Sequence, residues 1–562
     1  MMTPALLSLL LPALSVALPA SSADWVSVVP SLVKIRPGAL PPGTASASLH
    51  TARGECEAFQ VLVKPPLQRV SVERARVSNA AGQSLPLTLF REEFIEVDTP
   101  SNLEGAKGLW PDPLLPFEVD GKPLGKVMPA ASTSERPLIV YAEVCVPEST
   151  SPGTFTGKLV VSAEGHPAVS VPVTLEVEPF TLPATSSLRS SFGISMYTVA
   201  RGHGLSGDSP DALALLREYV NLMLAHRLSA HGMSLEPPAV RRDGAALRFD
   251  FSAFDREVAP LMEGTALPSG ARFTSMDIRE HSRLHTDAER VLYYRAVREH
   301  FAQKGWTVPL FYYAQDEPKP KDIPTVRLQS RRVREAGGLS VLVTAPLTAK
   351  LQSSTDIFCP VLNCFFPRGR NETCDNVQTV PELRARIAPS AHIWWYQSCM
   401  SHGCAHPAEM KMSLQKAFTG WASYMVDAPA PVNRAMGPLA FLAGVEGELY
   451  FDVTAMYGEK GKDPWKSLYA FGGNGDGTLF YPGTPERLGT SRHVPVPSLR
   501  LKAIRDGLED YEYLRLLERS AGPELAHEYV KGWVRSGYEL TRDPSAWEAN
   551  RARVTVRLRQ KP

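Results

Sequence analysis

Residues 306–338 read WTVPLFYYAQDEPKPKDIPTVRLQSRRVREAGG. The first part, 308–314, is an apolar and aromatic run of the length expected for a buried strand. It ends abruptly in Gln315, Asp316, Glu317 and Pro318, two adjacent carboxylates followed by a residue that cannot extend a ladder. A buried strand does not finish in two charges unless its end opens onto water or a site. Beyond the loop, 324–336 sets Val326, Val333 and Ala336 among charged positions and predicts a helix, stopped by Gly337 and Gly338. A second apolar strand, 339–344, follows at once. Strand, helix, strand is a βαβ unit, and the carboxylate pair stands at the carboxyl end of its first strand. In barrels built from such units, that end carries the chemistry.

Consecutive strand residues point to opposite faces, so an in-line Asp-Glu pair cannot share a ligand. Here the pair sits where the strand stops, and Pro318 drives Glu317 away from helical angles toward extended ones. Both side chains can then lean into one pocket. The competing reading makes the pair an N-terminal cap for the next helix, or a salt-bridge partner of Lys319 or Lys321.

Working outward, 562 residues are too many for one core, and two or three domains are expected. Hydrophobic residues at 44% and charged residues at 21% fit a folded soluble chain. With 60 basic and 59 acidic residues the net charge is +1, which points away from nucleic acid or an anionic membrane as partner. Residues 1–23 read as an export signal: 5–18 is apolar, and Ser21-Ser22-Ala23 offers small residues for cleavage before Asp24. The apolar segment is too short for a membrane span, so a secreted or periplasmic protein is expected. An oxidising compartment favours disulfides among Cys56, Cys145, Cys359, Cys364, Cys374, Cys399 and Cys404. The odd count leaves at least one without an intramolecular partner. Cys364 with Cys374 and Cys399 with Cys404 are the near pairs, and the connectivity stays open.

Residues 24–183 carry β-rich segments at 58–63, 138–146, 157–162 and 171–177 between Pro/Gly turns, and predict an antiparallel β-sandwich. From 184 to 497 strands and helices alternate. Ser209-Pro210-Asp211 opens a helix whose Leu213, Leu216, Val220 and Leu224 share one face. Thr286 to Glu289 is a capping box for a helix running to Gly305. Further strands are expected at 357–363, 391–397, 447–451 and 478–481. The fold class is therefore multidomain: a sandwich, then a (β/α)8 TIM-like barrel. Residues 498–562 form a helical extension, led by a helix over 499–519.

Aromatic residues crowd several of these strand ends: Trp394-Trp395-Tyr396, Tyr450-Phe451, Trp465 and Phe480-Tyr481. Sugars present apolar CH faces to rings and hydroxyls to polar groups, so two carboxylates among aromatics suggest glycoside chemistry. Most of these rings are expected to be core. Cys399, His402, Cys404 and His406 invite a zinc hypothesis. Their spacing is none of the usual structural patterns, and a Cys399–Cys404 disulfide flanked by two loop histidines is the preferred reading, with no metal and no cofactor expected. Asn371-Glu372-Thr373 fits the N-glycosylation pattern. No Ser-His-Asp order, phosphate-cradling glycine loop or dinucleotide fingerprint stands out.

YYAQDEP (312–318), NRAMGPLAFLAGVEGELYF (433–451), GDGTLFYPG (475–483) and LRLKAIRDGLEDYEYLRLL (499–517) together resemble glycoside hydrolase family 123. GECEAFQVLV (54–63), WPDPLLP (110–116) and PGTFTGKLVV (152–161) resemble the domain that precedes the barrel there. The resemblance implies a β-N-acetylgalactosaminidase-like enzyme that retains configuration by substrate-assisted catalysis. It implies Glu317 as general acid/base and Asp316 as the group that orients the 2-acetamido substituent. It implies that Trp395, Tyr396, Arg434, Trp465 and Tyr481 line the sugar pocket, with a glycan or glycoconjugate as substrate. A structural ion pair is the competing reading for Arg434, and packing under the barrel is the reading favoured for Arg505, Asp506, Glu509 and Asp510. The rival from another class is a non-catalytic carbohydrate-binding protein on the same fold.

Overall fold

The computed structural model describes residues 24–233, 235, 237–244, 246–369, 373–399 and 402–560. The export segment 1–23 and Asn371 of the glycosylation pattern lie outside the described residues. The N-terminal part holds two main sheets. One places Val26–Pro30, Glu55–Val63, Leu138–Val146, Thr88–Val97 and Gly108–Pro116 side by side, all antiparallel. The other is centred on the hairpin of Gly153–Ala163 and His166–Thr181, with Ala47–Arg53 added in parallel. Alternate residues of both sheets, among them Val61, Val63, Val140 and Val144 from the first and Phe155, Leu159, Val173 and Leu175 from the second, meet in one apolar core. The Cys56–Cys145 disulfide joins two residues that face each other in the first sheet.

Eight parallel strands follow: β1 Arg189–Gly193, β2 Ala230–His231, β3 Met276–Asp277, β4 Leu310–Gln315, β5 Ser340–Val343, β6 Ile357–Phe358, β7 His392–Gln397 and β8 Gly447–Tyr450. Their order, β2-β1-β8-β7-β6-β5-β4-β3, is that of a barrel with one open seam. Side chains bridge that seam. Thr274 N donates to Ser229 Oγ at 2.7 Å, and Gly232 N donates to Asp277 Oδ2 at 3.4 Å. Phe311, Leu342, Ile357, Trp394 and Leu449 fill the barrel interior. Gly447 is required there, because a Cβ would stand 2.6 Å from the Trp394 ring.

The stretch 306–338 folds as read, with β4 followed by the helix Ile323–Ala336. Thr286 caps Asp287–Gln303 through the expected capping box. Two expected strands differ. Residues 357–363 give only the short β6 before a 3-10 turn at Leu362–Phe365. Residues 478–481 give no barrel strand. Phe480–Gly483 pairs antiparallel with Val494–Pro497, a two-stranded ribbon in which Pro482, Pro495 and Pro497 need donate to no further neighbour.

The helix Leu499–Ala521 is buried from Leu499 to Leu514, between the N-terminal sheets and the barrel rather than as an outlying extension. Its charges are matched across that boundary. Lys502 Nζ lies 2.8 Å and Arg505 Nη1 2.5 Å from the Glu143 carboxylate on Leu138–Val146. Arg500 meets Asp112 at 2.8 Å. Burial by itself would raise the Glu143 carboxyl, but the Arg505 and Lys502 charges hold it well below the usual range. Glu143→Gln takes the paired carboxylate from buried Lys502 and leaves Arg505 with Asp506 and Glu509 only. We expect it to cost about 3–5 kcal/mol in chemical denaturation; a loss below about 1 kcal/mol contradicts the assigned role of this network.

Candidate active site

The end of β4 departs from regular strand geometry twice. Its register against β5 shifts between Tyr313 and Gln315, a bulge that re-aims the residues beyond it. Glu317 then takes φ +38°, the left-handed region that a non-glycine residue rarely adopts. This corrects the expectation that Pro318 holds Glu317 extended. The two departures cancel the strict alternation that would point Asp316 and Glu317 apart, and both side chains are exposed.

Neither carboxylate caps the following helix. That helix begins at Ile323, and Oδ2 of the preceding Asp322 accepts from Lys319 N at 2.9 Å. Asp316 Oδ1 instead accepts from Tyr313 Oη at 2.8 Å and from Thr344 Oγ1 at 2.9 Å. Glu317 Oε1 accepts from Tyr396 Oη at 2.5 Å, and Glu317 N donates to Thr344 Oγ1 at 2.9 Å. Tyr313, Thr344 and Tyr396 come from β4, the end of β5 and β7, on the same face of the barrel wall as Phe311, Leu342 and Trp394. Burial raises both phenols, and the adjoining Asp316 and Glu317 carboxylates raise them further, so they remain donors. His231 of β2 accompanies them, with its ring centroid 6.4 Å from that of Tyr313 and Nδ1 3.1 Å from Ser191 Oγ. Two exposed aromatics stand on segments leaving the same end. Tyr197 belongs to the helix just after β1, and Phe471 packs 5.7 Å from Phe451, which follows β8.

Of the five side chains expected to touch sugar, Tyr396 alone joins this group. Trp395 points out of the barrel onto Phe365 and is fully buried, because its neighbours Trp394 and Tyr396 take the inward face. Arg434 is buried in a bidentate pair with Asp510, 2.6 and 2.8 Å, which realises the structural alternative. Tyr481 is fully buried and donates to Asp112 Oδ2 at 2.5 Å. Trp465 packs on Tyr481, donates to the Pro482 carbonyl at 3.0 Å and lies under Arg487. Trp395, Arg434 and Tyr481 are thus committed to packing, contrary to the expectation that they line the sugar pocket, while Trp465 is half-buried between Tyr481 and Arg487. Tyr313, Thr344 and His231 were not singled out beforehand. The available signal for the first two was the alternation in 311–313 and 342–344, which fixes them as inward once β4 and β5 are aligned.

Cys399 and Cys404 are joined in a disulfide, as are Cys364 and Cys374, and Cys359 is a buried free thiol. Oxidation removes the thiolates a zinc ion would need. His402 is fully buried beside the Phe471 carbonyl, 3.2 Å from Nε2, and burial lowers it to about 4. His406 Nδ1 accepts from Ala408 N at 3.2 Å.

No family model and no curated protein matches the chain. Among solved structures, a family 123 glycoside hydrolase from Clostridium perfringens, described for glycolipid glycan hydrolysis, superposes with a TM-score of 0.62. The match covers 95% of this chain and 98% of the other at 12% identity. A Bacteroides ovatus GH5 xyloglucanase covers 82% and 98% at 11% identity with a TM-score of 0.27. The chain thus has an architecture of antiparallel sheets followed by a parallel barrel. In particular, its fold resembles that of glycoside hydrolase family 123 over nearly the whole length.

One carboxyl with a high pKa near the barrel, that of Glu448, lies outside the candidate site. Glu448 on β8 faces away from the interior, with Trp395, and accepts from Tyr424 Oη at 2.6 Å. Burial pushes it up to about 8. The unfolded chain releases this proton near the ordinary carboxyl value while the folded chain keeps it to about 8, so folding stability falls as pH rises through that window. Glu448→Gln should abolish a loss on the order of 2–4 kcal/mol between pH 5 and pH 8. The check is denaturant unfolding at both pH values, and an unchanged slope refutes the assignment.

Proposed function

We propose that this protein is an exported glycoside hydrolase acting on a terminal β-linked N-acetylhexosamine, N-acetylgalactosamine first. The single observation that carries the proposal is the pair of adjacent exposed carboxylates, each tied to its own buried hydroxyl donors at the carboxyl end of a parallel barrel. The architecture shared with a family 123 enzyme supports the reaction class.

In this reading Glu317 in its acid form protonates the glycosidic oxygen. Tyr396 occupies Oε1, so Oε2 is the oxygen that carries the proton. Asp316 accepts the N–H of the substrate's 2-acetamido group. That hydrogen bond turns the acetamido carbonyl oxygen toward the anomeric carbon and stabilises the positive charge that develops on the group. The carbonyl oxygen attacks as the aglycone leaves, giving an oxazolinium ion. Glu317, now a carboxylate, takes a proton from water as that water opens the ring, and two inversions return the original configuration. The nucleophile belongs to the substrate, so the roughly 5–5.5 Å carboxyl separation of ordinary retaining enzymes is not required of this pair. In the same reading residues 1–23 serve export, and the substrate is met outside the cytoplasm.

Aryl β-N-acetylgalactosaminide hydrolysis tests the roles. Glu317→Gln should lower kcat by about 10²–10⁴-fold with the circular dichroism spectrum unchanged. Asp316→Asn should lower it by about 10²–10³-fold. Either variant within a factor of two of wild type removes its residue from the mechanism.

A further inference from the structure

Thr344 follows directly after β5, is 2% exposed, and among the described residues is the one side chain that hydrogen-bonds to both Asp316 and Glu317. Its hydroxyl proton goes to Asp316 Oδ1 at 2.9 Å, and its oxygen accepts the Glu317 amide at 2.9 Å. Tyr313 Oη also donates to Asp316 Oδ1, at 2.8 Å, and stands 3.2 Å from Thr344 Oγ1. Each hydroxyl has one proton, and both are directed to Oδ1. The 3.2 Å approach is therefore two donors sharing one acceptor. Oδ1 is saturated, and Oδ2, which takes no hydrogen bond from the described residues, is the oxygen left for a ligand.

We propose that Thr344 is a positioning residue for the reaction assigned above. One hydroxyl fixes the Asp316 rotamer so that Oδ2 meets the substrate amide N–H. The same oxygen pins the left-handed backbone at Glu317, which sets where the acid proton is delivered. The proposal rests on the hydrolase reading, but it can be tested apart from it. A left-handed non-glycine residue persists only where its surroundings hold it, and the Glu317 amide has Thr344 as its partner. Valine has the shape of threonine without the hydroxyl. Serine keeps the hydroxyl without the methyl group.

The test pairs Thr344→Val with Thr344→Ser in the full chain. On an aryl β-N-acetylgalactosaminide, Thr344→Val should lose about 10–100-fold in kcat with KM within about threefold, the pattern of lost positioning. Thr344→Ser should recover to within about threefold of wild type. In deuterium exchange, the peptide spanning 312–318 should exchange at least about tenfold faster in Thr344→Val and near the wild-type rate in Thr344→Ser, while peptides of the N-terminal sheets stay unchanged. Unaltered exchange at 312–318, or equal kcat loss in both variants, overturns the positioning role. A wild-type protein inactive on acetamido sugars overturns the hydrolase reading, and the exchange experiment still decides what Thr344 holds.

Discussion

Burying charge is the constraint on which this molecule depends. Glu143, Lys502 and Arg505 leave water together, and so do Asp112 with Arg500 and Asp510 with Arg434. Each group is costly to desolvate alone and tolerable only with its partner in place. Because the partners come from the N-terminal sheets, the barrel and the helix Leu499–Ala521, the network specifies how these parts are stacked. Apolar contact could hold such surfaces together, but it would fix their register less strictly, since it has no direction. The motif RDGLEDYEYL is therefore a device of assembly, and the site is built elsewhere.

At β4 local irregularity does the corresponding work. A regular strand would send Asp316 and Glu317 to opposite faces. The bulge after Tyr313 and the left-handed φ at Glu317 bring them to one opening, and hydroxyls from three inward-facing residues hold them there. Tyr313, Thr344 and Tyr396 form a polar layer over the apolar plug of Phe311, Leu342 and Trp394. The step from plug to polar layer takes one alternation of the pleat, two residues along each strand.

The sequence made the βαβ unit around 306–338 legible because its strand is long, its helix is stopped by two glycines, and its charges break the apolar run abruptly. It left β2 and β3 invisible, since two residues carry no period. It also misplaced 478–481, where an apolar run before a proline-rich segment suits a two-stranded ribbon as well as a barrel strand. The places of Asp316 and Glu317 at the carboxyl end of a barrel strand were readable from position. Trp395, Arg434, Trp465 and Tyr481 were not, because residue type says nothing of facing: one step along β7 separates the inward Tyr396 from the outward Trp395. Buried charges such as Arg434 resemble ligand-binding charges until their partners are seen.

In the proposed reaction the substrate's own acetamido group is the nucleophile, and Asp316 steers it. The direct measurement is hydrolysis of aryl β-glycosides of N-acetylgalactosamine, N-acetylglucosamine, galactose and glucose, with the anomer of the first product followed by NMR. Cleavage confined to the acetamido sugars, with the β-anomer released first, is the predicted result. Comparable turnover of the galactoside or glucoside, or release of the α-anomer, contradicts it.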